Sequence, residues 1–297
     1  MKNNNCLVIT IGYFGDIAFA SSIAKKLKLE NQFEKIEYLI GFPQMEALMN
    51  NNPYIDKVHV SDFPNAVPTK NIDFSKYNKV IRLSPLSFEM PPPIEFQISA
   101  GVKNPDSEYN IYTNSEYDEI AKTVIEDLRS NGKKVIAVMA NWECKTYIFT
   151  EDQYKAGIDV PNLGYGGKHR NIDYITSELE KEFNLVYVGY PQEYNQLVTS
   201  KIEDNDQKSI LFECSLMKFC DAFVGTEGGL CNLAAGVGTK TIITGDFVHQ
   251  LYGWNGVLKK IKEPKLGPKH YFLNSNHVEL NSYISDEEVI KQIKIHI

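Results

Sequence analysis

Two glycine-rich turns are the places where this chain has residues suited to chemistry. One is Gly12-Tyr-Phe-Gly-Asp16, near the N-terminus, and the other runs from Gly225 to Gly229. Each turn stands between an apolar run and a helical pattern, so the first N–H groups of the following helix lack intrahelical partners and can bind an anion. Asp16 adds a carboxylate, which can act as a general base or can cap its helix. Together the turns indicate a cleft for an anionic ligand beside an acid–base group.

The second turn belongs to the stretch from Phe223 to Asp246, which we interpret as strand, turn, helix and strand. Leu230 to Val237 predict a helix of small residues that stops at Gly238. Small residues let neighbouring backbone approach closely, which suits a helix beside a ligand cleft. An isolated turn of this kind favours a tightly packed αβ unit without a ligand. The matching turn near the N-terminus favours the functional interpretation.

Length, composition and charge limit the class of protein. The chain has 297 residues, enough for two domains that each bury a core. Its 43% hydrophobic and 23% charged residues are typical of a soluble globular protein. With a net charge of −7, we expect no stable binding of nucleic acid and at most peripheral membrane contact. Five cysteines without paired spacing, and no signal-peptide pattern before the first strand, predict a cytoplasmic protein.

Strand and helix patterns alternate along the chain and would place both turns at a cleft. A buried strand, Cys6 to Ile11, opens the first half. The alternation loosens between Pro91 and Asn114 and restarts at a strand from Lys134 to Ala140. We therefore predict an α/β fold with two Rossmann-like, doubly wound domains, residues 1–114 and 115–297, that face a central cleft.

Further elements of the second half are also predicted from apolar runs. We expect a short strand at Ser209–Leu211 and a helix at Leu216–Cys220. A terminal helix, Ser285–Ile297, has acidic residues in its first turn and could pack back on the N-terminal domain.

Metal and cofactor signals are weak. The six histidines form no i, i+4 pair and no zinc-type spacing with cysteine. We expect a protein that uses no metal ion and no cofactor.

Three motifs in order resemble glycosyltransferase family nine, the ADP-heptose heptosyltransferases of GT-B architecture. They are Gly12 to Ile17, Asn52 to Val58 and Gly225 to Lys240. The resemblance implies that residues 1–114 form the acceptor-side domain and residues 115–297 bind a nucleotide sugar. It also implies that Asp16 is the catalytic base, that Lys168 contacts the donor diphosphate, and that the segment from Glu227 to Asn232 contacts the donor through Glu227, Gly228, Gly229 and Asn232.

The chain departs from the family pattern at several of these positions. Glutamate, glycine and asparagine stand at Glu227, Gly228 and Asn232, where the family has aspartate, serine and histidine, and Arg170-Asn171 replaces Trp-Pro. These departures leave the donor sugar open.

Two further donor contacts follow from residue chemistry. Arg170 comes just after the flexible segment Gly164–Gly167, and a forked guanidinium there suits a phosphate; the alternative is a basic loop at a helix start. Glu193 could accept hydrogen bonds from ribose hydroxyls, or it could be an ordinary surface glutamate. For Asp16, residue reasoning alone favours a helix N-cap, and the resemblance favours the base.

The expected function is inverting, metal-independent transfer of a sugar from a nucleotide-diphosphate sugar to the hydroxyl of a glycan, a glycolipid or another acceptor. Two alternatives remain open. A sugar-nucleotide epimerase of similar fold would turn over the nucleotide sugar without an acceptor. A non-catalytic nucleotide-sugar-binding protein would bind the donor with Asp16 dispensable.

Overall fold

The computed structural model describes residues 4–10, 12, 14–61, 72–83, 91–139, 171–189, 210–226, 228–244, 274–280 and 284–297. Within them the chain forms two sheets of parallel strands with helices between the strands. The strands are β1 (Asn5–Thr10), β2 (Lys35–Ile40), β3 (Lys57–Val60), β4 (Lys79–Arg82), β5 (Val135–Met139), β6 (Asn184–Val188), β7 (Ala222–Gly225), β8 (Thr241–Ile243) and β9 (His277–Glu279).

Eight α-helices accompany these strands in the described ranges. They are α1 (Phe14–Leu29), α2 (Glu46–Asn50), α3 (Pro92–Ser99), α4 (Ser115–Arg129), α5 (Ile172–Glu180), α6 (Ile210–Phe219), α7 (Gly229–Gly236) and α8 (Asp286–His296). Two single turns of 3₁₀ helix, Pro43–Met45 and Phe74–Lys76, complete the regular structure there.

Both sheets have the strand order of doubly wound domains. The first is ordered β3-β2-β1-β4 and the second β6-β5-β7-β8-β9, and every pairing is parallel. In each sheet the first strand lies in the interior, where residues from Leu7 to Ile9 in β1 and from Val135 to Val138 in β5 are fully or almost fully buried. Continuous apolar strands of this kind need helices on both faces. The predicted α/β architecture of two Rossmann-like domains is confirmed.

The buried side chains do not divide cleanly between the two sheets. One continuous cluster holds Val8 and Ile17 from the first domain together with Val135, Phe223 and Leu233 from the second. Helix α1 therefore packs both under its own sheet and against α7 of the other domain.

Two elements differ from the sequence prediction for physical reasons. The run predicted as a strand at Ser209–Leu211 enters α6, which begins at Ile210, because a short apolar run fits a buried helix as well as a strand. Helix α3 was missed because of its prolines. Pro92 and Pro93 occupy the first helical positions, where a missing N–H breaks no intrahelical bond.

The proposed boundary at residue 114 stays a prediction, and the sheets lie on either side of it. Asn114 is the N-cap of α4, where its side chain accepts a hydrogen bond from the Tyr117 N–H at 2.7 Å. At the other end of the chain, Val289 and Ile293 of α8 lie in a core with Ile136 of β5. This apolar stripe places α8 on the C-terminal domain, rather than on the N-terminal domain where the sequence suggested it could pack.

No helix in the described ranges is both long enough and apolar enough to cross a membrane.

Candidate active site

The two glycine turns meet at the junction of the domains. A Cβ built on Gly15 would lie 4.0 Å from the Gly229 Cα, and one built on Gly229 would lie 2.7 Å from the Phe14 Cβ and 3.3 Å from the Gly15 nitrogen. Real Cβ atoms do not approach side chains as closely as 2.7 Å. The first turns of α1 and α7 therefore touch through backbone, and the absence of a side chain at Gly229 is what permits the contact.

Asp16 lies in the first turn of α1 and not at its N-cap. The helix begins at Phe14, three residues before Ile17, where an N-cap at Asp16 would start it, so Asp16 is not the N-cap residue. A carboxylate in the first turn still complements the helix dipole. The side chain is half-buried and folds back over Gly12, where a built Cβ would overlap the Asp16 carboxylate. Gly12 thus leaves room for the orientation that Asp16 adopts.

The N-cap residue of α7 is Gly228, which has no side chain that could cap the helix. A Cβ built on Gly228 would meet no described atom within 4 Å. Among the described residues, a side chain at Gly228 therefore has no close neighbour, whereas Gly229 beside it faces the other domain. N–H groups at a helix N-terminus of this kind are suited to an anion.

The strand ends beneath this turn form the switch point of the second sheet, between β5 and β7. A Cβ on Gly225 would lie 3.1 Å from the Met139 Cβ, so the two strand ends are closely packed. The Thr244 N–H donates to the Gly225 carbonyl at 2.8 Å, and the Cys231 thiol donates to the Thr226 carbonyl at 2.6 Å. Ligands of open α/β sheets bind outside strand ends at such a switch point.

Asn232 is buried between the two turns. Its Nδ2 donates to the Gly228 carbonyl at 3.2 Å, its Oδ1 accepts from the Tyr109 hydroxyl at 3.4 Å, and a Cβ on Gly15 would lie 3.2 Å from Nδ2. Only 2% of the residue is exposed. The structure thus brings together four of the predicted site residues: Asp16, Gly228, Gly229 and Asn232.

Four other predicted donor contacts lie outside the described residues. They are Lys168, Arg170, Glu193 and Glu227, and their roles stay predictions.

Sequence reasoning did not single out Glu213. This residue of α6 accepts a hydrogen bond from the Gly189 N–H at 3.2 Å, where the chain leaves β6 with a φ of +92°. Burial raises the pKa of the Glu213 carboxyl, and the bond from Gly189 opposes that rise. A carboxylate inside the otherwise apolar run Ile210–Cys214 was the available signal, because an acid seldom stands in such a run without a partner.

His277, on β9, gives the second domain a pH-dependent stability. Burial lowers the pKa of its imidazole from 6.5 to about 4, and a hydrogen bond to the Cys231 backbone offsets part of this. The ring is neutral in the folded state at pH 6 but takes up a proton on unfolding. The unfolded state therefore binds more protons between these two pKa values, so stability falls as the pH is lowered through this window.

We expect the melting temperature of the wild type to drop more steeply between pH 6.5 and pH 4 than that of a His277→Gln variant. Differential scanning fluorimetry across this range measures the difference. His296, near the end of α8, provides a matched control as His296→Gln. Parallel curves of melting temperature against pH for the wild type and His277→Gln would show that His277 is not the cause of the pH dependence.

No group of three or more His, Cys, Asp or Glu residues that could hold a metal ion occurs in the part of the chain that the structure describes.

Two parallel α/β domains with glycine turns meeting between them define the GT-B class of fold. A structure of a glycosyltransferase family 9 protein from Veillonella parvula is similar to this one with a TM-score of 0.63 and 12% sequence identity, over 99% of this chain and 98% of that chain. The ADP-heptose lipopolysaccharide heptosyltransferase II of Escherichia coli is similar with a TM-score of 0.58 and 10% identity, over 98% of both chains. The family resemblance of the motifs is confirmed at the level of the fold.

No protein-family model matches the chain, and no curated protein matches it in sequence.

Proposed function

We propose that this protein is an inverting glycosyltransferase that moves a sugar from a nucleotide-diphosphate sugar to an acceptor hydroxyl. One observation carries the proposal: the half-buried carboxylate of Asp16 lies one residue from the point where α1 touches the N-terminal turn of α7, whose N-cap residue is Gly228. A base and an anion site thus face the same cleft from different domains. The similar fold of an ADP-heptose heptosyltransferase supports a sugar nucleotide as the anion.

The proposed reaction is a single displacement. The acceptor hydroxyl gives its proton to the Asp16 carboxylate while its oxygen forms a bond to the anomeric carbon of the donor sugar. The bond from that carbon to the phosphate oxygen breaks, and the nucleoside diphosphate leaves with the electron pair. Attack opposite the leaving group inverts the anomeric configuration.

The departing diphosphate gains negative charge as the bond breaks, so fixed positive groups around it lower the barrier. The N–H groups of the first turn of α7 are one such set. We propose Lys168 and Arg170 as the cations that complete it, with Glu193 and Glu227 accepting hydrogen bonds from donor hydroxyls.

The acceptor is proposed to lie on the N-terminal domain. A glycan, a glycolipid or another hydroxyl compound fits this role, and the protein would act in the cytoplasm with no more than peripheral membrane contact. The four described cysteines, Cys6, Cys214, Cys220 and Cys231, are buried free thiols, which fits a reducing compartment.

The first experiment is a thermal-shift screen of nucleotide sugars, followed by an assay for release of the nucleoside diphosphate with and without acceptors. The proposal expects stabilisation by one class of nucleotide sugar and release that depends on an acceptor. Conversion of the sugar nucleotide without an acceptor would instead indicate an epimerase. Binding without any turnover, and with no effect of Asp16→Asn, would indicate a non-catalytic binding protein.

We expect the transfer activity to persist in EDTA, because main-chain N–H groups and basic side chains are proposed to take the charge of the leaving group. The sequence Asp204-Asn205-Asp206, outside the described residues, has a spacing of carboxylates that could hold a divalent ion. Initial rates before and after chelation, then with added Mg²⁺ or Mn²⁺, distinguish the two possibilities. Loss of activity in EDTA with recovery on adding metal would overturn metal independence.

A further inference from the structure

The segment Tyr109–Ile111 is bonded to both domains at the point where the glycine turns meet. On the side of α1, the Asn110 carbonyl accepts from the Ser21 hydroxyl at 2.9 Å, and the Tyr109 ring packs edge-on against Phe19 with centroids 5.5 Å apart. On the side of α7, the Ile111 N–H donates to the Gly236 carbonyl at 2.8 Å. We call this segment the bridging segment.

The Tyr109 side chain fills the space between the helices. The residue is 2% exposed, and its ring carbons would lie 3.2 and 3.3 Å from a Cβ on Gly236. Its hydroxyl reaches Asn232 Oδ1 at 3.4 Å, and Asn232 in turn holds the Gly228 carbonyl and lies against Gly15. The chain of contacts therefore runs from the bridging segment through one amide to both glycine turns.

The Asn232 side chain joins three separate parts of the chain: it bonds to Tyr109 and to Gly228 and lies beside Gly15. A buried amide with partners at both ends fixes the relative position of the groups that it joins.

We propose that Tyr109 and Asn232 are positioning residues that hold the α7 turn against α1, and so set the distance between Asp16 and the donor. This inference rests on the proposed function, because it takes Asp16 as the general base and the first turn of α7 as part of the donor site. A reaction that needs its groups in line is sensitive to displacements of about 1 Å.

The test compares kcat and KM in Tyr109→Phe and Asn232→Ala. We expect kcat to fall about threefold in Tyr109→Phe and about tenfold or more in Asn232→Ala, with the KM for the donor within about twofold of the wild type. Tyr38→Phe is the matched control, since it removes a buried hydroxyl that donates to the Ala20 carbonyl of α1 at 2.9 Å within one domain. It should lower the melting temperature and leave kcat unchanged.

The Asp16→Asn background separates positioning from a purely structural effect. If Tyr109 and Asn232 act through the spacing of Asp16, their variants should lower kcat less than about twofold further once Asp16 is already replaced. Equal losses in both backgrounds would overturn the proposal. A raised donor KM with unchanged kcat in Asn232→Ala would also overturn it, and would make Asn232 a direct donor contact.

Hydrogen exchange tests the same inference without an activity assay. Its result therefore does not depend on whether the protein is a glycosyltransferase. In Asn232→Ala we expect the amide of Ile111, which bonds to Gly236 across the domains, to exchange about tenfold faster. The amide of Val8, in the interior strand β1, should not change. Unchanged exchange at Ile111 would overturn the bridging role even if the wild type transfers sugar.

Discussion

Replacing Asp16 by asparagine is expected to lower kcat by a factor of about 10² to 10⁴, because the variant cannot accept the proton of the acceptor hydroxyl. Donor affinity should stay close to that of the wild type, since the substitution preserves the shape of the side chain. Initial rates of nucleoside diphosphate release, together with calorimetric titration of the donor, measure the two effects separately. Full activity in this variant would remove Asp16 as the base.

The contact between Asp16 and Gly12 offers an independent check of the same assignment. An alanine at Gly12 would place its Cβ on both the carboxylate and the Cβ of Asp16, so the whole Asp16 side chain must move. We expect Gly12→Ala to lower kcat while Asp16 is still present. The loss should not add to that of Asp16→Asn, because both changes disable one group.

The second large effect is expected at Gly228. A Cβ there would meet no described atom within 4 Å and would stand at the N-terminus of α7, where the donor is proposed to bind, so Gly228→Ala should weaken binding of the nucleotide sugar about tenfold or more. Gly238, after the other end of the same helix, provides a matched control. It too has a positive φ, +93° against +159° at Gly228, and a Cβ there would also meet no described atom within 4 Å.

Gly238→Ala should therefore strain the backbone and lower the melting temperature without changing donor affinity. Calorimetric titration of the donor and thermal melts of both variants separate the two outcomes. Equal loss of affinity in the two variants would mean that Gly228 acts only through the stability of α7, and its place in a donor site would then be withdrawn.

The sequence predicted the fold well because the signals for it are local. Each local pattern predicts the structure of its own segment. The apolar runs predicted β1 and β5, and Gly238 predicted the end of α7. Prediction failed where a local signal fits two structures. Pro92 and Pro93 suggested a loop but occupy the first turn of α3, and the apolar run at Ile210 suggested a strand but begins α6.

The candidate site was predictable only in part, for a related reason. Asp16 and Gly228 belong to motifs that lie beside turns, and the chain order of those turns is visible in the sequence. Tyr109 belongs to no such motif, and its partner Asn232 is distant in sequence. Glu213 could be noticed as an acid in an apolar run, but its partner Gly189 could not be predicted from that signal. Only the folded chain shows that Asn232 lies between the domains.

The continuous buried cluster around α1 affects how such a protein can be recombined. Ile17 of α1 shares its core with Leu233 of α7, so α1 is a structural part of both halves. A chimera cut at residue 114 would pair a foreign α1 with this α7, and a side chain in place of Gly15 would put its Cβ 3.2 Å from the Asn232 amide nitrogen, which is a tight contact. Exchange of the N-terminal half between related proteins would therefore need the first turn of α1 and the bridging segment to be kept with the C-terminal half.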